Sequence, residues 1–261
     1  MQLFILTLRF LTRIPVPFNN DTILSNEEFA KGIIYYPIIG LIVGIINFLV
    51  FMFFSLSGSI LVASVFAVLS GIIVTGGFHI DGLADTCDGL YSSRKKERIL
   101  EIMRDSRVGT NGAIAIVFDI FIKVSVIYSL GFDKGIFAII LAPVAGKMAT
   151  PLLFNSKYAR NGEGLGNIYL REKYDFRSVL TMFLGMVIIG VLLLKYSVLP
   201  IIICMIFAVL FRKHCEKIIG GMTGDTLGAG SELTEIVFML VYIMEMNLLW
   251  IYIWLDMVRQ T

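Results

Sequence analysis

The chain has 261 residues, 57% of them hydrophobic and only 16% charged, with a mean hydropathy of +0.84. That balance excludes an ordinary soluble domain and places the chain among polytopic membrane proteins. The net charge of +2 says little about partners, because in such a protein the position of each Lys and Arg along the chain matters more than their sum.

The opening Met1-Gln2-Leu3-Phe4-Ile5-Leu6-Thr7-Leu8 lacks a basic start and a small-residue cleavage site, and Arg9 and Arg13 interrupt it. It reads as an amphipathic segment lying at the membrane interface and ending at Pro15 and Pro17. Apolar runs near the ~20 residues needed to cross a bilayer follow at 35–56, 59–77, 112–131, 135–154 and 235–255. Between 178 and 211, Lys195 and Pro200 divide the chain into two short pieces, read as two further crossings. Charge supports this count. The stretches 1–34, 79–109, 155–177 and 212–234 hold most of the Lys and Arg, whereas the turns near 57, 133 and 197 hold only Lys134 and Lys195. Seven spans with an inside N-terminus put all four basic stretches in the cytoplasm. The expected fold is therefore an all-α integral membrane protein of about seven transmembrane helices. It forms one polytopic domain over 1–261, set in the cell (inner) membrane with its motif loops on the cytoplasmic face. Cys87, Cys204 and Cys215 are scattered and suggest neither a disulfide framework nor a zinc site.

The first motif loop begins Gly76-Gly77-Phe78-His79-Ile80-Asp81-Gly82-Leu83-Ala84-Asp85-Thr86-Cys87-Asp88-Gly89. If the segment from Ile80 is helical, Asp81, Asp85 and Asp88 fall at i, i+4 and i+7 on one face. Three carboxylates so placed repel one another unless a cation neutralises them, and hard oxygen ligands suit Mg²⁺ or Mn²⁺. The competing reading is a solvated acidic helix start. Further on, Glu97, Glu101 and Asp105 recur at i, i+4 and i+8, and Arg104 and Arg107 at i and i+3. This is either a salt-bridged surface helix or a basic edge facing phosphate. The second loop, Lys157-Tyr158-Ala159-Arg160-Asn161-Gly162-Glu163-Gly164-Leu165-Gly166, offers backbone amides to an anion or merely connects two spans. In the third, Gly220 to Leu233, five glycines permit close backbone approach. Thr223, Asp225 and Glu232 supply oxygens there for a metal, a hydroxyl or a helix cap.

Taken in order, these motifs resemble the adenosylcobinamide-GDP ribazoletransferases, the cobalamin synthases of the late corrin pathway. The resemblance runs from Phe10-Leu11-Thr12-Arg13-Ile14-Pro15-Val16-Pro17 and Tyr36-Pro37-Ile38-Ile39-Gly40 through His79 to Gly89 and Glu101 to Gly109. It ends with Tyr158-Ala159-Arg160, Glu163-Gly164-Leu165-Gly166, Thr223 to Ala229, and Glu232. Cys87 stands where that family usually has Ala. The resemblance implies attack by a hydroxyl of α-ribazole, or of its 5′-phosphate, on the phosphorus attached to the aminopropanol arm of adenosylcobinamide-GDP, with GMP leaving. It points to Asp81, Asp85 and Asp88 as Mg²⁺ ligands, with one of them or Asp105 accepting the proton. Arg104, Arg107 and Arg160 become phosphate clamps, Arg being preferred for its forked geometry. Asp225 and Glu232 complete the metal shell or hold a ribose, and Thr223 belongs with them. His79, on the opposite helix face from the carboxylates, has either a role in the site or a structural hydrogen bond. The implied partners are the two substrates and the lipid bilayer, with no nucleic acid. A homo-oligomer is compatible with the sequence, which leaves oligomeric state open.

Two alternatives stand beside this reading. Gly77 to Asp85 reproduces the Gly-x3-Asp-x3-Asp half of the CDP-alcohol phosphotransferase signature, but its preceding Asp-Gly-x2-Ala-Arg half is absent at the usual distance. A transporter is suggested by Asp119 and Lys123 inside one span and Lys147 inside another. Broken helices or inverted repeats, the usual transporter marks, are not evident in the sequence.

Overall fold

A computed structural model describes residues 1–17, 25–160 and 175–260, with side chains described for all of these except 26, 27 and 249–260. Among the described residues ten α-helices follow one another: α1 (Gln2–Leu11), α2 (Asn26–Ala30), α3 (Tyr36–Ser55), α4 (Ile60–Thr75), α5 (Phe78–Leu90), α6 (Lys96–Ile102), α7 (Thr110–Phe154), α8 (Phe176–Leu193), α9 (Val198–Ile219) and α10 (Gly224–Gln260). Short 3₁₀ turns join α2 to α3 and α8 to α9. The only β-type pairing among the described residues is an isolated parallel bridge between Tyr158 and Met222.

By length and composition four stretches among the described residues can cross a membrane: Glu28–Ser55, Thr110–Phe154, Phe176–Ile219 and Gly224–Leu248. A fifth arises if the bent pair α4 and α5 is taken as one span. Two of the four are 45 and 44 residues long, roughly 65 Å as straight helix and about twice the thickness of a bilayer core. Each is broken near its middle. Gly131, at φ 71° and ψ −167°, interrupts α7 in a conformation open to glycine alone. The turn Leu194–Ser197 separates α8 from α9. Counting each limb and α4 as a crossing gives seven, compatible with the sequence expectation.

Outward-facing Leu49, Phe53, Val117, Phe121, Val191 and Leu210 are exposed, as apolar side chains facing acyl chains must be. Inside, the helices approach through small residues, since lipid offers no hydrophobic drive for their association. A Cβ on Gly40 would lie 2.6 Å from the Pro143 carbonyl, and one on Gly44 would strike the Ile140 carbonyl, so α3 lies directly on the second limb of α7. One apolar cluster, with Phe51, Leu141, Val144, Ile189 and Phe238, fills the middle of the bundle. A second, with Leu11, Ile39, Met103, Leu153, Ile219 and Met222, ties the ends of α1, α6, α7, α9 and α10 together at one end.

Two sequence expectations change in detail, and a third holds. The last span starts at Gly224 and not near 235, because the glycine-rich third loop winds into helix as soon as Thr223 and Thr226 cap it. Helix α6 stops at Ile102, so Asp105 does not continue the Glu97 and Glu101 stripe, and Arg104 and Arg107 share no helix face. Finally, α1 is the short helix expected at the N-terminus, with Thr7, Leu8 and Leu11 buried.

Candidate active site

The acidic helix is set by two glycines. Gly76 and Gly77 have φ of 64° and 72°, a left-handed pair that bends the chain 90° between α4 and α5. Helix α5 therefore leaves the line of the span, and Asp81, Asp85 and Asp88 do share one face. Asp81 is exposed, whereas Asp85 and Asp88 are half-buried. Burial first, then the neighbouring Asp225 and Asp81 carboxylates, push the Asp85 carboxyl up to about 7, against the pull of Arg160.

Asp88 has a separate occupation. Its carboxylate accepts from the backbone amides of Gly109 at 2.6 Å and Gly112 at 2.8 Å, the first turn of α7. It thus caps from outside a helix whose own N-cap, Gly109, has no side chain to offer. A Cβ on either glycine would run into this carboxylate.

The three motif loops converge. In the Tyr158–Met222 bridge the Ala159 amide donates to the Met222 carbonyl and the Met222 amide to the Lys157 carbonyl, each at 2.8 Å. That pairing carries Arg160 to Asp225, where Nη2 donates to Oδ2 at 2.6 Å and also to the Met103 carbonyl at 3.3 Å. Arg160 Nε is buried with no hydrogen-bond partner among the described residues, and can donate to an acceptor. Gly82 brings α5 onto α10 so tightly that a Cβ there would sit 2.8 Å from the Asp225 carbonyl. Between these elements lies a cavity of about 230 Å³. One wall is apolar and aromatic, with Phe10, Leu11, Tyr36 and Phe154; the other presents Asp81, Arg160 and Asp225. All four stretches that the sequence read as basic and same-sided contribute to this cavity.

The remaining expected residues divide. Thr223 is fully buried and caps α10: its hydroxyl accepts from the Thr226 amide at 3.2 Å and lies 3.4 Å from Asp225 Oδ2. Arg104 and Arg107 are exposed and outside the cavity lining, and Arg107 folds back on Asp105 at 2.6 Å, holding that carboxyl down at about 2. Glu232 lies deeper, inside α10, ion-paired with Lys123. It belongs to a buried cluster in which Lys123 also meets Asp119 at 3.4 Å and Glu235 at 3.5 Å. Asp119 and Lys123 pair as their i, i+4 spacing suggests, and α10 adds two carboxylates that no local pattern could reveal. The glycines 162, 164 and 166 with Glu163 lie outside the described residues. His79 is buried on α5 and lines the cavity. Lys147, Thr150 and Ser231 line it as well. Sequence reading placed none of these three in the site, although Lys147 carried the signal of an ionisable residue within a span.

Among the described residues no three His, Cys, Asp or Glu side chains converge on one metal-binding point. A divalent cation nonetheless fits the donor chemistry. Mg²⁺ is usually bound through one or two carboxylates, water and substrate phosphates, not by a full protein cage. Asp81 and Asp85, one turn apart and mutually repelling, supply such a pair.

A family model described as cobalamin-5-phosphate synthase matches residues 3–243. Curated relatives bear the name adenosylcobinamide-GDP ribazoletransferase. That of Clostridium novyi is 47% identical over 92% of this chain and 96% of its own length. That of Clostridioides difficile is 38% identical over 93% and 97%, and that of Escherichia coli 40% identical over 92% and 98%. No solved structure matches the chain.

Proposed function

Since the chain belongs to the cobalamin-5-phosphate synthase family, we propose that it transfers the adenosylcobinamide-phosphate moiety of adenosylcobinamide-GDP to α-ribazole or its 5′-phosphate. GMP is released and adenosylcobalamin or its 5′-phosphate is formed, a late step of cobalamin biosynthesis. The observation that supports this most is the meeting of Asp81, Arg160 and Asp225, from three separated loops, around one cavity. Displacement at a pyrophosphate requires charge neutralisation at the phosphorus that is attacked and at the departing phosphate. Arg160, whose Nε has no partner among the described residues, clamps a phosphate oxygen, and Asp225 holds the guanidinium in place. Asp81 and Asp85 would hold Mg²⁺ or Mn²⁺, which when bound supplies Lewis acidity at the bridging diphosphate. The attacking hydroxyl gives its proton to a carboxylate of this pair. Asp105, turned to solvent and tied to Arg107, is poorly suited to that task. The apolar wall formed by Phe10, Leu11, Tyr36 and Phe154 excludes water, which would otherwise compete as nucleophile.

The Lys and Arg bias of the loops supports a cytoplasmic position for this cavity. Purified protein given Mg²⁺, adenosylcobinamide-GDP and ribazole phosphate is expected to release GMP and the joined corrinoid in equal amounts. Folded protein that released neither would refute the assignment.

A further inference from the structure

Lys147 lies in the second limb of α7, only 4% exposed, in the wall between the 230 Å³ cavity and a smaller inner one of about 60 Å³. Its ammonium donates to the Ser231 hydroxyl at 2.9 Å and lies 3.5 Å from Glu235 Oε1. The second distance is longer than the 2.7–2.9 Å of a strong charge-assisted bond. Its third N–H has no acceptor among the described residues. The neighbouring Lys123 differs: it has Asp119, Glu232 and Glu235 all within ion-pairing distance. Arg160, the other cation lining the outer cavity, is joined to Asp225 at 2.6 Å. Lys147 is thus the least neutralised cation of the cavity, set in an apolar part of the bundle where an unpaired charge is costly. Its position is fixed from behind. A Cβ on Gly146 would lie 2.7 Å from the Ser231 carbonyl, so α7 and α10 cannot part there without loss of contact, and Glu235 is itself anchored by Lys123.

We propose that Lys147 forms the floor of the substrate site and binds a phosphate oxygen of a nucleotide substrate, with Ser231 and Glu235 positioning its ammonium. The proposal rests on the transferase reading above and adds to it a cation, lying within the membrane-spanning part, that the motif loops do not contain. Two phosphates have the required chemistry: the diphosphate of the donor and the 5′-phosphate of the acceptor. In the low-dielectric floor of the cavity a lysine–phosphate contact is worth far more than at the surface.

The test uses the full chain in detergent with Mg²⁺ and adenosylcobinamide-GDP, and with either α-ribazole or α-ribazole 5′-phosphate as acceptor. Lys147→Met is expected to lower kcat/KM roughly 10²-fold while melting close to the wild type. Lys147→Arg should recover part of the loss. A loss with both acceptors assigns Lys147 to the donor diphosphate; a loss confined to the phosphorylated acceptor assigns it to the acceptor phosphate. Calorimetric titration with GDP gives a readout besides turnover, and weakened GDP binding is expected in the first case alone. Should Lys147→Met fail to fold, Ser231→Ala removes the hydroxyl that accepts from Nζ while leaving the ammonium beside Glu235. It is expected to cost about tenfold in kcat/KM at an unchanged melting temperature. Turnover by the folded Lys147→Met variant within twofold of wild type on both acceptors, or an unaffected Ser231→Ala where that variant must stand in, would overturn the inference and leave the transferase reading intact. An inert, folded wild type would overturn both.

Discussion

Replacing Asp88 separates two roles that the sequence assigns to one carboxylate face. In the structure Asp88 accepts from the Gly109 and Gly112 amides at 2.6 and 2.8 Å, so Asp88→Ala leaves the first turn of α7 uncapped. Loss of an N-cap costs about 1 kcal/mol, and loss of a negative charge at a helix N-terminus about 0.3–1 kcal/mol more. Asp88 is half-buried, so water replaces part of what is lost, and a total of roughly 1–2 kcal/mol is expected. For a chain of 261 residues this corresponds to a fall of roughly 2–4 °C in Tm. Asp88→Asn keeps one oxygen acceptor and should cost about half as much. The loss is local, so amide hydrogen exchange should quicken in peptides covering 109–115 and stay unchanged in those covering 198–219. Melting and exchange identical to wild type, combined with a roughly 10²-fold loss of turnover, would refute the cap and return Asp88 to the metal ligands.

Other outcomes follow from the same geometry. With the Asp85 carboxyl at about 7 and its ordinary value near 3.8, the cation-free folded state holds one more proton than the unfolded chain between those limits. Stability of the metal-free protein should therefore fall as pH rises from about 4 to about 7. Apparent Mg²⁺ affinity should rise with pH up to about 7 and then level off, since the ion displaces that proton; calorimetry on Asp85→Asn, which should lack the slope, checks it. Gly82→Ala drives a methyl group against the Asp225 backbone and should part α5 from α10, at a cost of about 1–3 kcal/mol. Lower melting and lost activity are expected, with membrane insertion retained in fractionation. In a background without the native cysteines, single cysteines at Arg94, Lys157 and Lys217 should be shielded from an impermeant thiol reagent in intact cells, while Ser57 and Asp133 are labelled. Labelling of position 157 from outside would remove the common face.

The elements of the bundle were legible where composition alone decides them. Apolar length found the spans, and Lys195 with Pro200 marked the break that the structure places at Leu194–Ser197. The i, i+4, i+7 spacing correctly put Asp81, Asp85 and Asp88 on one face, because a helical period is a local property. What Asp88 does was not legible, since its partners lie 21 and 24 residues further on. The glycines from 220 to 230 suggested an open loop by their propensity. In the structure Gly228 and Gly230 sit inside α10, and a Cβ on Gly230 would meet Leu153 at 2.6 Å, so Gly230 serves close helix packing and not backbone freedom. Glu232 lies beside Lys123, and that contact, across 109 residues, has no local signal in the sequence. Arg160 was recognised, but its pairing with Asp225 required the Tyr158–Met222 bridge, which no sequence period announces.

The central claim is that the cavity shared by Asp81, Arg160 and Asp225 performs nucleotide displacement with an organic hydroxyl as acceptor. Its most direct test is GMP release from adenosylcobinamide-GDP by the wild type and by Asp81→Asn, normalised to protein that melts normally, with and without ribazole phosphate. The wild type is expected to release GMP only when both the acceptor and a divalent cation are present, and Asp81→Asn to fall roughly 10²-fold or more. Equal GMP release without acceptor, or an Asp81→Asn variant as active as the wild type, would contradict the account.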